Sequence, residues 1–371
     1  MILDRIATVR NQQAWTDAVI PTLAIRLVLM AFAVLAVVVF RPDILGPDAW
    51  LNLWNRWDAP HFLEIAKYGY LPPADPARIV LFPLYPALIA AGSVVLAPLA
   101  SAMLVSLFAG LAAAAGLHRL VRLDQSRPAA RAAVLAMAIF PTAFAFVAPY
   151  SESLFAALTI WSFVRAREGD WRGAGILGAL AAFTRIQGLF IIPALAIEYL
   201  LARRRIDRSA FWVGFVGVGF LGYLAVNLIA FGDPLYFLGV QRDTFKVVNV
   251  PPWVMLGDLW NNIWAARSGE SLVTVYLAPL AAFAILTATC VWAVVSRRSR
   301  PSYAVYALLS LIAFASLSWP ISVPRYLLGV FPIFLAMGIA LQRPIGPAIA
   351  VASTLLLGLF TALFAIGHWA F

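Results

Sequence analysis

From residue 22 to residue 366 the sequence returns repeatedly to apolar runs of near-spanning length, divided by short charged stretches. A soluble core has no use for so many uninterrupted runs, whereas a bilayer core of about 30 Å calls for helices of roughly 20 apolar residues. Outer-membrane barrels need short alternating segments instead. Hydrophobic residues make up 63% of the chain and charged residues 12%, and mean hydropathy is +0.89. These values exceed the apolar share of ordinary soluble domains. The sequence therefore predicts an all-α integral membrane protein, a single polytopic domain over residues 1–371.

The formal net charge is +10. In a soluble protein that would suggest nucleic acid; here it reads as cytoplasmic anchoring, because the arginines cluster in short loops between apolar runs. No nucleic-acid partner is expected. The single cysteine, Cys290, lies inside an apolar run and offers no disulfide or metal framework. The opening MILDRIATVRNQQAWTDAVIP lacks the features of a signal peptide, so the run 22–40 is expected to be a retained helix.

Charge and parity set the expected topology. Residues 41–82 carry Arg41, Arg56, Lys67 and Arg78 against Asp43, Asp48, Asp58, Glu64 and Asp75, and read as external. Residues 118–131 carry Arg119, Arg122, Arg127 and Arg131 against Asp124, and read as cytoplasmic. An odd number of crossings must join them. Prolines 83, 86 and 98 bracket 84–97, which would rise only about 21 Å, so that segment reads as a dipping or interfacial helix and 100–117 as the second span. The remaining spans are expected at 132–148, 153–165, two short ones within 173–202, 211–231, 272–295, 303–318, 326–341 and 346–366. Arg203, Arg204, Arg205 and Arg208 form the strongest internal signal. Residues 232–271, with Trp253, Trp260 and Trp264, form a second external loop. Eleven crossings result, with the N-terminus inside and the C-terminus outside.

The most informative stretch is WNRWDAPHFLEIAKYGY followed by LFPLYP, residues 54–70 and 81–86. Trp54, Trp57, Phe62, Ile65 and Ala66 are at roughly helical spacing, which predicts a short interfacial helix with its tryptophans at headgroup level. Asp58, beside Trp57, is placed to act as a general base on a hydroxyl, and partial desolvation would raise its pKa. The alternative is an Asp that caps the helix. His61, three residues on, could tune that acid or bind phosphate, or be a plain surface histidine; Glu64 reads as solvated. Glu152 follows APYS at the mouth of a helix whose cap would be Ser151 or Ser153. It is either a second acid in the same cavity or a residue favoured by the helix N-terminus. Arg185, in FTRIQG, falls at membrane depth, where a guanidinium needs a phosphate or an ion-pair partner such as Glu152. Arg325 either snorkels or holds a phosphate, and Arg26 reads as an anchor. With His61 alone among scattered acids in this stretch, a metal site is possible but not indicated.

These stretches resemble a known family. WDAPHFLEIAKYGY with LFPLYP is similar to the first external loop of GPI mannosyltransferase 2 (PIG-V) and its bacterial relatives. APYSESLF, FTRIQGLFIIP and SVPRYLLGVFPIF resemble its later signatures in the same order, over roughly residues 50–340. The resemblance implies a GT-C fold with about 11 transmembrane helices, interfacial helices in the first external loop and an active site on the outer face. It implies an inverting transfer of a sugar, typically mannose, from a polyprenyl-phosphate donor to a lipid or glycan acceptor within membrane lipids. Asp58 matches the family's catalytic acid. Donor-phosphate binding by Arg185 and Arg325, and acceptor or second-acid roles for Glu152 and His61, are inferences from the residues. No cofactor is required, since the leaving group is a lipid monophosphate. Only two of the 27 basic residues are lysine, a bias of GC-rich bacterial genomes, where a GPI acceptor is not expected. Two other functions fit the sequence: a flippase for lipid-linked sugars, or a GT-C enzyme with another polyprenyl-linked sugar.

Overall fold

The structure, a computed structural model, describes residues 14–46, 48–203 and 205–371. The N-terminal residues read as cytoplasmic, 1–13, and Arg204 of the internal arginine cluster lie outside the described residues. Helices of nine residues or more are α1 (Ile20–Phe40), α2 (Asp58–Tyr68), α3 (Leu84–Gly92), α4 (Pro98–Arg122), α5 (Arg127–Ala138), α6 (Glu152–Arg167) and α7 (Trp171–Ala182). They continue with α8 (Ile191–Arg203), α9 (Gly217–Phe231), α10 (Pro252–Asn262), α11 (Ala278–Val295), α12 (Pro301–Ala315), α13 (Pro332–Leu341) and α14 (Gly346–Ile366). Among the described residues there is no strand, only an isolated antiparallel bridge from Asn249 to Leu317.

Five continuous helical stretches are long and apolar enough to cross a bilayer: Trp15–Phe40, Pro98–Arg122, Ile186–Arg203, Gly269–Val295 and Gly346–Ile366. Two bent pairs raise the number to seven, Arg208–Phe215 with Gly217–Phe231 at 40° and Val323–Gly329 with Pro332–Leu341 at 90°. This is a multi-pass membrane protein. The expected span 132–148 is not one helix: α5 stops at Ala138, and a separate 3₁₀ turn holds Ala143–Phe146. Pro141 explains the break, since it removes a donor and biases Phe140 away from the helical region. The segment 84–97 is helical only to Gly92.

Local chemistry sets the helix ends. Pro98 opens α4, and Arg119 and Arg122 sit in its last turn, where the helix dipole favours cations. Ser126 caps α5 through Ala129 N, and Asp170 caps α7 through Gly173 N. α4 packs along α6, α6 along α7, α5 against α13 and α1 against α14.

α6 defines two ends of the molecule about 24 Å apart. At its N-terminal end lie the 41–82 loop, the chain's C-terminus and Glu270. There Arg56 Nη2 donates to the Ala365 carbonyl at 3.0 Å, and His368 Nδ1 lies 2.6 Å from Glu270 Oε2. At the other end the arginines gather: Arg167 with Asp124, Arg300 with Glu198, Arg127 with Asp17 and Arg119 with Glu168.

Three expectations need correcting. Trp54 precedes α2 and is fully buried in the protein, packed on Phe364, so it is not an interfacial residue. Glu64 is not simply solvated; it accepts from Arg78 Nε and from Asp75 N, tying α2 to the loop that follows. Arg26 is no interfacial anchor: it is 4% exposed, donates to the Leu107 carbonyl at 3.1 Å, and lies over the Phe146 ring.

Candidate functional site

Asp58 is the first residue of α2 and caps nothing. The residue before it, Trp57, takes φ 57°, ψ −106°, a left-handed conformation that a bulky L-residue adopts only at a cost of order 1–3 kcal/mol. That turn aims the Asp58 carboxylate inward. Arg325 Nη2 donates to Asp58 Oδ2 at 2.6 Å across 267 residues of sequence.

Arg325 is 4% exposed and does not snorkel. Its Nε lies 3.0 Å from Glu152 Oε1. The same oxygen accepts from Arg185 Nη1 at 2.7 Å, and that nitrogen also donates to Ser151 Oγ at 3.1 Å. The four charged groups thus alternate in a row: Asp58, Arg325, Glu152, Arg185. Glu152 is buried at 3%, in the first turn of α6 where the helix N-terminus favours an anion. Ser151 sits at the cap position but receives Arg185 instead of capping, and Ser153 Oγ donates to the Phe146 carbonyl.

Arg185 closes the turn after α7. The 3₁₀ turn Ile186–Phe190 leads from it into α8. Gly188 is required there: a Cβ would lie 2.3 Å from the Ala182 backbone N and 2.4 Å from its Cα. Arg325 sits on the short helix Val323–Tyr326, just before the 90° bend, and Thr142 Oγ1 donates to the neighbouring Pro324 carbonyl at 3.0 Å.

Two aromatic rings that the sequence reading did not single out complete the site. The Arg325 guanidinium lies 4.5 Å from the centroid of the buried Tyr150 ring, and that of Arg185 lies 4.7 Å from Tyr326. Such contacts steady a desolvated guanidinium. Tyr150 OH also donates to the Arg56 carbonyl at 3.2 Å, bracing the strained turn before Asp58. The signal was present, since Tyr150 and Tyr326 stand beside Glu152 and Arg325 in the quoted motifs.

Burial pushes the Asp58 carboxyl upward, as expected, but the charge and hydrogen bond of Arg325 outweigh it and hold the group below the usual carboxylate range. His61 is half-buried near the same carboxylate; desolvation, aided by Arg78, lowers its pKa and favours the neutral ring. His61 has no hydrogen bond among the described residues; it lies near Asp58 and, when protonated, acts on it through charge, without joining the charged row. Among the described residues no three His, Cys, Asp or Glu side chains gather as metal ligands.

Comparison with known proteins falls on this same region. Residues 47–203 match the family described as Mannosyltransferase (PIG-V). This segment is PIG-V-like. It carries Asp58, Glu152 and Arg185; Arg325 lies beyond it. Similar curated proteins are the GPI alpha-1,6-mannosyltransferase 2 of Rattus norvegicus, 38% identical over 171 residues (40% of this chain, 34% of the relative), and that of Mus musculus, 37% identical over 147 residues (36% and 29%). The PIG-V-like match thus spans about a third of these relatives' length. Among solved structures, the Archaeoglobus fulgidus oligosaccharyltransferase in complex with Zn and sulfate aligns at TM-score 0.49 and 15% identity, over 93% of this chain and 53% of that one. The same archaeal enzyme with an inhibitory peptide and a dolichol-phosphate aligns at TM-score 0.46, over 93% and 55%.

Proposed function

We propose that this chain is an inverting GT-C glycosyltransferase that moves a sugar, mannose by its family likeness, from a polyprenyl-phosphate donor to an acceptor hydroxyl on the external face. One observation carries the reading: Asp58 stands 2.6 Å from a guanidinium that shares a buried glutamate with a second guanidinium. On this reading Asp58 is the base, and Arg325 and Arg185 are the groups that bind the donor phosphate.

The charged row is formally neutral. An incoming phosphate must therefore displace a carboxylate from an arginine. Glu152 is sealed in at 3% exposed, whereas the Asp58 side chain is 34% exposed. Asp58 is the partner that yields. The donor phosphate takes over Arg325 and reaches Arg185, whose planar donor forks suit it. Asp58 is then released toward the acceptor. It removes the hydroxyl proton as the oxygen bonds to the anomeric carbon from the face opposite the phosphate. The bond from that carbon to the phosphate oxygen breaks, and the polyprenyl monophosphate departs onto the arginines, which stabilise its charge.

The lipid chain has a matching place. A cavity of about 280 Å³ is walled by Phe140, Thr142, Ala278, Ala282, Pro324 and Phe360 among others, nearly all apolar. Pro324 adjoins Arg325, so an isoprenoid tail lying there would deliver its phosphate to that guanidinium. The extracted acceptors separate the two acceptor classes, lipid and glycan, and no step of this transfer calls on a metal.

The test is transfer from labelled polyprenyl-phosphate mannose to extracted membrane acceptors by the purified chain. Asp58→Asn is expected to keep donor binding and abolish transfer; turnover by that variant would remove Asp58 as base. Arg185→Ala is expected to weaken donor binding more than acceptor binding. Movement of labelled donor across vesicles, with no transfer and no dependence on Asp58, would establish the flippase instead.

A further inference from the structure

At the end of the molecule opposite Asp58 a second cavity opens, of about 610 Å³. It runs between the N-terminal part of the first span, Trp15 to Leu23, and α4, and is also lined by Trp161 of α6 and by Glu168, the residue that follows α6. Nothing in the proposed transfer uses it. Along α4 its lining extends from Phe108 to Arg122, a rise of about 21 Å. One leaflet of a bilayer, hydrocarbon and headgroup region together, has about the same depth.

The chemistry changes along that length. Leu23, Phe108, Leu111 and Ala115 line the deep part, and Arg119 and Arg122 line the mouth. Trp15 opens the first span at this end, where aromatic side chains anchor at membrane interfaces, and Trp161 Nε1 donates to the Ala112 carbonyl at 2.8 Å along the apolar half. Acidic groups nearby do not cancel the charge. Glu168 is taken by Arg119, and Asp17 accepts from Arg127 Nε and Nη2, with Arg131 at 4.0 Å. The lining itself carries Arg119 and Arg122 against the single carboxylate of Glu168, with His118 beside them. Arg122 is exposed, and its one hydrogen bond among the described residues is from Nη1 to the Gln125 carbonyl, which leaves donors for a ligand.

We propose that this groove binds one anionic glycerophospholipid of the leaflet on the arginine-rich side, with its phosphate between Arg119 and Arg122 and an acyl chain along Ala115, Leu111 and Phe108. A basic mouth on an apolar, leaflet-deep slot is the arrangement by which pockets between spans hold acidic headgroups. The site is separate from the charged row around Asp58, so it stands or falls independently of the transferase reading.

The experiment is native mass spectrometry of the full chain released from detergent, after equilibration with phosphatidylglycerol or phosphatidylcholine. One phosphatidylglycerol is expected to stay bound, retained at least tenfold better than phosphatidylcholine. Arg119→Gln with Arg122→Gln should remove that preference at least tenfold. Ala115→Phe, which fills the slot and leaves both arginines, should reduce retention of both lipids; it decides the matter if the double variant lacks a cooperative thermal transition. Equal retention of the two lipids, undiminished phosphatidylglycerol binding in Ala115→Phe, or displacement of the lipid by inorganic phosphate would overturn the proposal.

Discussion

The Asp58 carboxylate is held by Arg325 at 2.6 Å, and this has a consequence for pH. Its folded pKa lies below the usual carboxylate range. The ion pair thus contributes its full stability above the ordinary value of about 3.9 and loses it as pH falls through the lower folded value. The same sign governs catalysis. With the free enzyme the acid limb, read in kcat/KM for donor, should lie below the ordinary carboxylate range. Once phosphate has drawn Arg325 away, the limb in kcat should move upward. Initial transfer rates across pH, in nanodiscs, measure both; coincident limbs would mean that Arg325 keeps Asp58 through turnover. Asp58, Glu152, Arg185 and Arg325 were legible as candidates because acids and guanidiniums are conspicuous in apolar sequence. Their order in one row was not, because Asp58 and Arg325 meet across 267 residues, a distance no local pattern encodes. The direction of the Asp58 shift was missed for the same reason: desolvation can be foreseen from neighbouring tryptophans, a distant counter-charge cannot.

At the scale of elements, hydropathy located the long helices well, α1, α4, α11 and α14 above all, because each carries an unbroken apolar run. It failed where proline or a functional turn interrupts the run. Residues 132–148 read as one span and fold as α5 plus a separate 3₁₀ turn. Trp54 and Trp57 matched a helical spacing yet precede α2, since the turn that aims Asp58 overrides periodicity. The two short spans expected within 173–202 are α7 and α8, and the FTRIQG turn between them depends on Gly188. A methyl group there would enter the backbone of Ala181 and Ala182, so the 3₁₀ turn must shift and carry Arg185 off Glu152. Gly188→Ala is expected to raise KM for donor at least tenfold, with the thermal midpoint lowered by only a few degrees, on the order of 1–2 kcal/mol. Unchanged donor KM would show that Arg185 does not need this turn.

For the whole molecule, the charge argument predicted that residues 41–82 and the C-terminus share one side and the arginine clusters the other. The structure gathers Arg56 with Ala365 and Glu270 with His368 at one end, and Arg167, Arg300 and Arg127 at the other. Parity made this legible: charges in loops are local facts, and the number of crossings between them is constrained even when each span is short. The positive-inside preference predicts that the arginine-rich end faces the cytoplasm, an expectation that labelling can check. The sole cysteine, Cys290, is buried, so Cys290→Ala gives a clean background for a direct measurement. Arg267→Cys, at the Asp58 end, should react with a membrane-impermeant maleimide added to intact cells. Arg343→Cys, at the loop leading into α14, should react only after the cells are opened. The reverse pattern would turn the protein over in the membrane and place the Asp58 site on the cytoplasmic side. A transferase drawing its donor from the outer face could not work in that orientation.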